Sequence, residues 1–300
     1  SAINIGFSKI GISPAKKTPY LEDKLSNWIN NNFHATMYWI NKRASERSNI
    51  LNYYPDAVSV ISIGMNYFTG NTSNNSNIGK ISNYAWGSDY HTLIKTKLYQ
   101  LLNNIKLINP KIDGIVCVDT SPIMEKYWAQ KAGIGWIGKH TNLITRDYGS
   151  WLFLGEIILN TKLIYDNPFI EDLCGTCTAC LDACPTNALI DAYILDSSKC
   201  ISYLTIEHRG DFTKDIEQKL SNWIYGCDIC QQVCPWNMKF EKITNQDYFK
   251  PRYNIQNRTL NEWMNLNEAE YKILFKGSAI KRTKYKGLIR NINHNLQSKN

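Results

Sequence analysis

The sequence contains no apolar run close to the roughly 18 residues that a bilayer-spanning helix needs. It also lacks the charged start and short apolar stretch of a secretion signal. We therefore expect a cytoplasmic protein without membrane contact. A disulfide framework is not expected there, because the cytoplasm keeps thiols reduced. The nine cysteines of the chain need another explanation.

Histidine is scarce, and acidic residues are absent from the last 30 positions. The five histidines are scattered and form no metal-ligand pair or Ser/His/Asp arrangement. Residues 271–300 hold eight basic residues and no acidic one, whereas the other 26 basic residues match 26 acidic residues. This basic stretch could face a polyanion or form a solvated helical surface, and charge alone leaves both interpretations open.

The rest of the composition is typical of a folded, globular protein. The chain has 300 residues, of which 43% are hydrophobic and 20% are charged. This length is enough for roughly one to three domains with a sizeable core, and the composition excludes wholesale disorder.

Eight of the nine cysteines lie between residues 174 and 234. The first four follow the pattern Cys174-x2-Cys177-x2-Cys180-x3-Cys184-Pro185. This is the spacing of bacterial ferredoxins, in which three close thiolates bind one 4Fe–4S cluster and the fourth binds the neighbouring cluster. The second set is Cys200 and, after 26 residues, Cys227-x2-Cys230-x3-Cys234-Pro235.

The repeated spacing predicts two 4Fe–4S clusters that exchange their fourth ligands. One cluster is expected on Cys174, Cys177, Cys180 and Cys234, and the other on Cys184, Cys200, Cys227 and Cys230. Structural zinc would favour two paired Cys-x2-Cys units over triplets that end in Cys-Pro. Cys117, in the apolar run 114–118, is interpreted as a packed strand residue. Because paired clusters carry single electrons, the 173 residues before the run are expected to hold the site that uses them.

Those first 173 residues show alternating helix and strand patterns. Helices are predicted at 19–33, 89–109 and 123–132, and strands at 57–68, at 114–119 and in a hairpin over 142–159. The glycines of residues 133–138 match the dinucleotide pattern G-x-G-x-x-G. A helix precedes them and a strand follows, so nucleotide binding is not predicted. We expect these glycines to allow a backbone path close to a bulky ligand.

Asp119 is the acidic residue that the pattern singles out. It ends a short apolar strand and precedes Thr120, Ser121 and Pro122. Sequence alone favours a helix-capping role, the ordinary role of aspartate before a helix. The alternative is a carboxyl group in a partly apolar pocket, with a raised pKa and the ability to donate a proton.

Five segments of the chain carry a family resemblance: VDTSPIMEK (118–126), KAGIGWIGK (131–139), CISYLTIE (200–207), YGCDICQ (225–231) and GSAI (277–280). They resemble the epoxyqueuosine reductase family, and the resemblance extends from about residue 6 to the C-terminus. It implies an oxidoreductase that uses cobalamin and two 4Fe–4S clusters to reduce epoxyqueuosine to queuosine in tRNA, the last step of queuosine biosynthesis. The implied fold is α+β, with an α/β cobalamin-binding domain (1–165), a ferredoxin-like two-cluster domain (166–245) and a basic helical segment (246–300).

The resemblance also assigns site residues. Asp119 matches the general acid of the family, and Lys42 and Lys126 stand where relatives commonly have an arginine near the cofactor. Family segments near the corrin contribute Lys139, Ser202 and Asp228. The motif D-x-H-x-x-G, which places a histidine beneath cobalt, is absent because residues 89–94 lack its glycine. The resemblance therefore favours a cobalamin without a histidine lower ligand.

A wobble-base substrate implies that the anticodon stem-loop of a tRNA is the partner. Phosphate contacts are expected from Lys281, Arg282, Lys284 and Lys286. A reduced flavodoxin- or ferredoxin-type protein is expected to donate electrons, and the chain is expected to be a monomer. The alternatives are a cobalamin-dependent reductive dehalogenase-like enzyme, an iron–sulfur electron carrier and a cobalamin-handling protein.

Overall fold

A four-stranded antiparallel sheet organises the first half of the chain. The computed structural model describes residues 2–73 and 75–298. The strands are β1 (Lys9–Pro14), β2 (Ser59–Asn66), β3 (Lys80–Ile81), β4 (Gly114–Cys117), β5 (Trp136–Ile137), β6 (Leu143–Ile144), β7 (Leu152–Leu159), β8 (Leu189–Asp191), β9 (Ile194–Leu195) and β10 (Trp223–Tyr225). The main sheet has the order β1-β2-β7-β4, and the short strands pair as β3 with β10, β5 with β6 and β8 with β9.

Helices surround the sheet and form most of the second half of the chain. Short 3-10 helices cover Asn83–Ala85, Ser197–Lys199, Asp247–Phe249, Ile255–Asn257 and Ala279–Thr283. The α-helices are α1 (Ala2–Ile5), α2 (Pro19–Asn30), α3 (Tyr38–Lys42), α4 (Ala44–Ser48), α5 (Ile50–Tyr53), α6 (Tyr90–Ile108), α7 (Glu125–Lys131), α8 (Ala179–Asp182), α9 (Ile201–Ile206), α10 (Lys214–Glu217), α11 (Ile229–Gln232), α12 (Pro235–Phe240), α13 (Leu260–Met264), α14 (Glu268–Leu274) and α15 (Lys284–Gln297).

The main sheet is covered on both faces. Leu98 and Leu101 of α6 pack with Ile61 of β2 in one hydrophobic cluster. Trp128 of α7 packs with Ile158 of β7 in another. Every position of β2 is buried, including the polar residues Ser59, Ser62 and Asn66, as expected for a central strand covered on both faces. The carboxyl end of β4 and the start of α6 thereby come together at one edge of the sheet.

The predicted α+β class is confirmed, and most predicted elements are present with shifted ends. The helices predicted at 19–33, 89–109 and 123–132 correspond to α2, α6 and α7. The strand predicted at 114–119 ends at Cys117, which is buried in β4 as expected. The hairpin predicted over 142–159 is wrong in one respect. Its turn exists, but β6 pairs with β5 while β7 joins the main sheet.

The glycines of residues 133–138 approach protein backbone rather than an open ligand space. A Cβ at Gly135 would lie 2.0 Å from the Ile144 carbonyl oxygen, and one at Gly133, whose φ is +75°, would lie 2.5 Å from the Asn167 carbonyl oxygen. The bulky-ligand interpretation is therefore wrong for these two positions. Close packing against neighbouring loops explains both glycines.

The C-terminal segment is a packed part of the fold. One hydrophobic cluster joins Trp86, Tyr225 and Leu288, which come from the three predicted domains. The domain boundaries stay predictions. Within the described chain, this hydrophobic core contains residues from both sides of each predicted boundary. In the described chain, we find no helix whose length and apolar character together would allow it to cross a bilayer.

Candidate active site and cysteine groups

Asp119 lies just past the end of β4, at the centre of a tight turn. Its φ of 46° falls in the left-handed region, and the Thr120 N–H donates to the Val118 carbonyl oxygen across 2.5 Å. Such backbone is unfavourable for a residue with a side chain and is concentrated at functional sites. The capping interpretation is wrong, because α7 begins at Glu125 directly after Met124.

A chain of hydrogen bonds connects Asp119 to Asp89 through His91. His91 Nε2 is 2.7 Å from Asp119 Oδ2, and His91 Nδ1 is 2.7 Å from Asp89 Oδ1. Helix α6 positions this histidine, since Asp89 caps the helix and His91 lies in its first turn. Burial would lower the pKa of His91, but the bonds to the two carboxylates raise it to about 9. His91 is therefore protonated at neutral pH.

The same contacts keep Asp119 ionised. Burial would raise the pKa of Asp119, but the hydrogen bond from His91, the charge of His91 and a bond from Tyr90 outweigh burial and lower it. The raised pKa suggested by the sequence is therefore wrong. The proton of the pair resides on His91, one hydrogen bond from a carboxylate whose side chain is 53% exposed. A proton can pass from His91 through Asp119 to a group bound against that carboxylate.

Lys126 connects the Asp119 region with the cysteines. Its amine donates to the Thr141 carbonyl oxygen and to Asn142 Oδ1, both at 3.0 Å. Although Lys126 is exposed to solvent, desolvation lowers its pKa, opposed by negative charges that include Asp119 and Cys230. A side chain that is both accessible and desolvated lines a deep cleft. Asp119 and Lys126 therefore border one cleft, and the 3.1 Å bond from the Asn142 N–H to His140 Nδ1 continues the contacts of Lys126 toward the first cysteine group.

One predicted set of cysteines surrounds a cavity of about 120 Å³. Trp236 closes part of this cavity and is fixed by a 3.0 Å hydrogen bond from its indole N–H to the Leu173 carbonyl oxygen. The cavity is lined by the four residues that the sequence grouped together, Cys174, Cys177, Cys180 and Cys234.

The second predicted set also converges. The pKa of Cys230 is raised by burial and then by the charge of Cys200, with smaller contributions that include Cys180 and Cys184. Burial likewise raises the pKa of Cys227, followed by the charges of Cys230 and Cys200. Helices α8 and α11, which carry Cys180 and Cys230, contact each other, so the two cysteine groups lie side by side, as a two-cluster electron path requires.

The wall of the first cavity has a further feature that fits an iron–sulfur cluster. The cavity wall also contains His140, whose Nδ1 accepts the Asn142 N–H at 3.1 Å and whose Nε2 has no partner in the described chain. Burial lowers the pKa of His140 to about 4, so the ring is neutral and carries one proton. Because Nδ1 accepts a hydrogen bond, that proton is on Nε2. A buried, unpartnered N–H beside four thiols fits a cluster, whose sulfurs accept such bonds.

The other residues assigned to the cofactor have varied surroundings. Asp228 is buried, and its carboxylate accepts hydrogen bonds from the Ser82 hydroxyl and, at 2.7 Å, from the Asn83 N–H. These bonds anchor the cysteine loop, and the assignment of Asp228 to the cofactor stays a prediction. Lys42 is exposed at the end of α3, and Ser202 is half-buried in α9.

Lys139 lies beside the first cysteine group. Its amine donates to the carbonyl oxygens of Gly175 and Cys177, at 2.6 and 3.0 Å. These bonds stabilise the loop between Cys174 and Cys177. The structure therefore gives Lys139 a role in holding the cysteine loop.

His91 is the functional residue that sequence reasoning missed. The available signal was the pattern Asp89-x-His91 at the start of a strongly periodic helix. From the sequence, this pattern is interpreted only as an incomplete cobalamin motif that lacks its glycine. Its contact with Asp119 spans 28 residues and depends on how α6 packs against the sheet.

The basic C-terminal stretch contains two arginines that serve the fold. Arg290 donates to the carbonyl oxygens of Leu204, His208 and Gly210. Arg282 forms a two-pronged ion pair with Glu207, which corrects the expectation that its guanidinium is free for phosphate. The neighbouring Lys281, Lys284 and Lys286 are exposed.

An exposed aromatic residue adjoins this stretch. The Arg282 guanidinium lies 5.2 Å from the ring centre of Trp39 in α3. Trp39 is 41% exposed, whereas the other eight tryptophans are buried or half-buried. The Asp89 N–H donates to the Gly277 carbonyl oxygen at 2.8 Å, so the segment that leads into this stretch borders the candidate active site. An accessible tryptophan beside lysines suits RNA, which offers bases for stacking and phosphates for charge.

The fold and the cysteine groups together define an iron–sulfur oxidoreductase. Two family models match the chain. The 4Fe-4S double cluster binding domain covers residues 173–237, and Epoxyqueuosine reductase QueG, DUF1730 covers residues 47–120. The chain belongs to the epoxyqueuosine reductase family, as the following relatives establish.

An epoxyqueuosine reductase of Synechocystis sp. is 44% identical over 292 residues, which is 96% of this chain and all of the relative. A crystal structure of an epoxyqueuosine reductase with an epoxyqueuosine-modified tRNA-Tyr stem loop matches with a TM-score of 0.89 and 30% identity, over 98% of this chain and 78% of that one. The Bacillus subtilis enzyme, with its catalytic loop swung out of the active site, matches with a TM-score of 0.87 and 29% identity over the same shares.

Proposed function

We propose that this chain reduces epoxyqueuosine to queuosine in tRNA, with electrons relayed by two 4Fe–4S clusters. The observation that carries the proposal is a path of hydrogen bonds from the Asp119 turn to the first cysteine group. Glu125 accepts the Asp119 N–H, and its neighbour Lys126 donates to the side chain of Asn142. The Asn142 N–H in turn donates to His140, which borders the cavity of the first cysteine group. The likeness to the enzyme bound to an epoxyqueuosine-modified stem loop supports this substrate.

The reaction needs what the cleft offers. Reduction of an epoxide to an alkene breaks both carbon–oxygen bonds, takes up two electrons and two protons, and releases the oxygen as water. An external reductant supplies the electrons, and we propose a reduced flavodoxin- or ferredoxin-type protein. His91 holds a proton at neutral pH, and Asp119 passes it to the departing oxygen, which lowers the cost of the developing negative charge. The second proton comes from solvent, from which His91 is reprotonated before the oxygen leaves as water. The proposed setting is the cytoplasm, with the chain as a monomer.

The proposed cluster ligands are the two sets of cysteines. The cavity bordered by Cys174, Cys177, Cys180 and Cys234 supports the first set. Mutual electrostatic effects support the second set, which is Cys184, Cys200, Cys227 and Cys230. Clusters at these positions would bring electrons to within reach of the cleft wall that Lys126 forms.

Cobalamin is the group that we propose for this cleft. When bound, it supplies a cobalt centre that collects single electrons and acts on the epoxide. Lys126 presents a desolvated cation to the cleft, and Lys42 and Ser202 are further proposed contacts. Both nitrogens of His91 are bonded to carboxylates, so His91 is not available as a ligand beneath cobalt. This agrees with the absence of the D-x-H-x-x-G motif.

The pH dependence of the reaction should report His91. Because the pKa of His91 is raised from 6.5 to about 9, the proton is present at neutral pH and is lost as the pH rises through about 9. The single-turnover rate of deoxygenation should be flat near neutrality and fall above pH 9. His91→Gln should be slow at every pH and should lack this alkaline limb. An unchanged alkaline limb in the variant would assign the titration to another group.

Exposed lysines of the basic stretch should contribute to RNA affinity. Replacing Lys281 and Lys284 by glutamine should weaken binding of an anticodon stem-loop and reduce the slope of log K against log salt by roughly 0.7–0.9 per lost phosphate contact. Glutamine at Lys111 and Lys162 is the matched control, because both are exposed near the opposite end of β4 from Asp119. Equal salt slopes in all three proteins would mean that Lys281 and Lys284 form only a solvated surface.

The function itself is tested by anaerobic conversion. The protein is reconstituted with iron, sulfide and cobalamin and mixed with a chemical reductant and an epoxyqueuosine-containing stem-loop, and the nucleosides are quantified by mass spectrometry. We expect queuosine to accumulate at the expense of epoxyqueuosine. Intact clusters and bound cobalt without any queuosine would contradict the proposed substrate.

A further inference from the structure

The turn that presents Asp119 is held from behind by a second carboxyl group. Glu125 Oε1 accepts the Asp119 backbone N–H across 2.6 Å, and this is the only acceptor for that N–H in the described chain. Glu125 is the first residue of α7, and α7 packs against β2 and β7. The acceptor therefore belongs to the rigid part of the fold, whereas the donor belongs to the turn.

The surroundings of Glu125 favour an uncharged acceptor. Burial raises the pKa of Glu125 to about 8, and the charge of Asp119 contributes to the shift. Behind it lies Glu156 of β7, which is buried and has no hydrogen-bond partner for either oxygen in the described chain. A neutral carboxyl group still accepts an N–H through its carbonyl oxygen. It does so without adding a negative charge behind the Asp119 carboxylate.

We propose that Glu125 is a positioning residue that latches the Asp119 turn in its left-handed conformation. Aspartate tolerates the left-handed region better than most residues but does not prefer it, so contacts must select this conformation. Two contacts do so here, one from the Glu125 carboxyl group to the backbone and one from His91 to the side chain. Loss of the Glu125 contact frees the backbone to relax and carries the Asp119 carboxylate away from the cleft. The catalytic consequence rests on the proposed function, whereas the latch itself concerns the backbone alone.

Two substitutions separate the acceptor from the shape of the side chain. Glu125→Gln retains a carbonyl oxygen at the same position, and Glu125→Leu removes it at similar size. Hydrogen exchange of the peptide that spans residues 118–124 should be roughly tenfold faster in the leucine variant, since one protecting hydrogen bond is lost. Exchange in the glutamine variant should stay close to that of the unchanged protein. Glu125→Met gives the same comparison if the leucine variant does not fold.

Glu156→Gln is the matched control, because it alters the second buried carboxyl group without touching the Asp119 N–H. It should leave exchange at residues 118–124 unchanged.

In single-turnover conversion, the rate of the Glu125→Leu variant should fall by roughly the same tenfold factor by which its hydrogen exchange rises. Its affinity for the stem-loop should be unchanged. The Glu125→Gln variant should retain most of the rate. Equal hydrogen exchange in Glu125→Leu and in the unchanged protein would overturn the proposed latch. Exchange and conversion rates in Glu125→Gln as strongly altered as those in Glu125→Leu would overturn it as well. A protein that shows the exchange differences but converts no epoxyqueuosine would contradict the proposed function and leave the latch standing.

Discussion

Asp119→Asn should lower the single-turnover rate of epoxyqueuosine reduction by roughly 10²–10⁴-fold, the usual contribution of a positioned proton donor. Asparagine has nearly the same shape, and it is one of the few residues that tolerate left-handed backbone. Its amide oxygen can still accept the hydrogen bond from His91. The amide cannot carry a proton from His91 to the departing oxygen, so the loss should fall on the chemical step.

The measurement is rapid-quench conversion of a stem-loop substrate, with iron and cobalt contents determined on the same samples. We expect unchanged metal contents and RNA affinity in the variant. Asp113→Asn is the matched control, since Asp113 lies at the opposite end of the same strand and pairs with Lys106 on the surface. A near-normal rate in Asp119→Asn would contradict the assignment of Asp119 as proton donor.

The second large effect is expected from Cys234→Ala. Although Cys234 follows Cys230 closely in sequence, it lines the cavity with Cys174, Cys177 and Cys180. The exchange of fourth ligands predicts that alanine here removes the cluster held by the first cysteine run. Iron should fall from roughly eight to roughly four atoms per chain. Reduction of epoxyqueuosine with electrons from an external donor should be almost abolished, because the electron path is interrupted.

Cys117→Ala provides the comparison for this experiment. Cys117 is buried in β4 among apolar side chains, and burial raises the pKa of its thiol to about 12. The Cys117→Ala protein should retain a full iron content and most of the activity. Iron contents and electron paramagnetic resonance spectra of the reduced proteins would distinguish the two variants. A Cys234→Ala protein with a full complement of iron would refute the predicted ligand exchange.

The cysteine groups could be predicted from the sequence because their spacing is local. A run such as Cys174-x2-Cys177-x2-Cys180 places three thiols within one loop, whatever the rest of the fold does. The repeated Cys-Pro endings then suggested how the two runs exchange a ligand. The cavity bordered by Cys234 and the first run fits that prediction.

The proton-donating pair could not be predicted in the same way. His91 and Asp119 come from a helix start and a strand end that meet only when α6 packs on the sheet. The ionisation of Asp119 depends on that meeting, which is why a local argument from a partly apolar pocket gave the wrong direction for its pKa. Arg290 illustrates the same limit, since its three backbone acceptors come from residues more than 75 positions away.

The most direct test of the account compares two preparations of this protein under anaerobic conditions. One contains the iron–sulfur clusters alone, and the other contains the clusters and cobalamin. Both receive the same reductant and epoxyqueuosine-containing stem-loop, and queuosine is counted by mass spectrometry. Queuosine is expected only with cobalamin, at up to one product per substrate and two electrons consumed per product. Equal queuosine formation without cobalamin, or none in either preparation, would contradict this expectation.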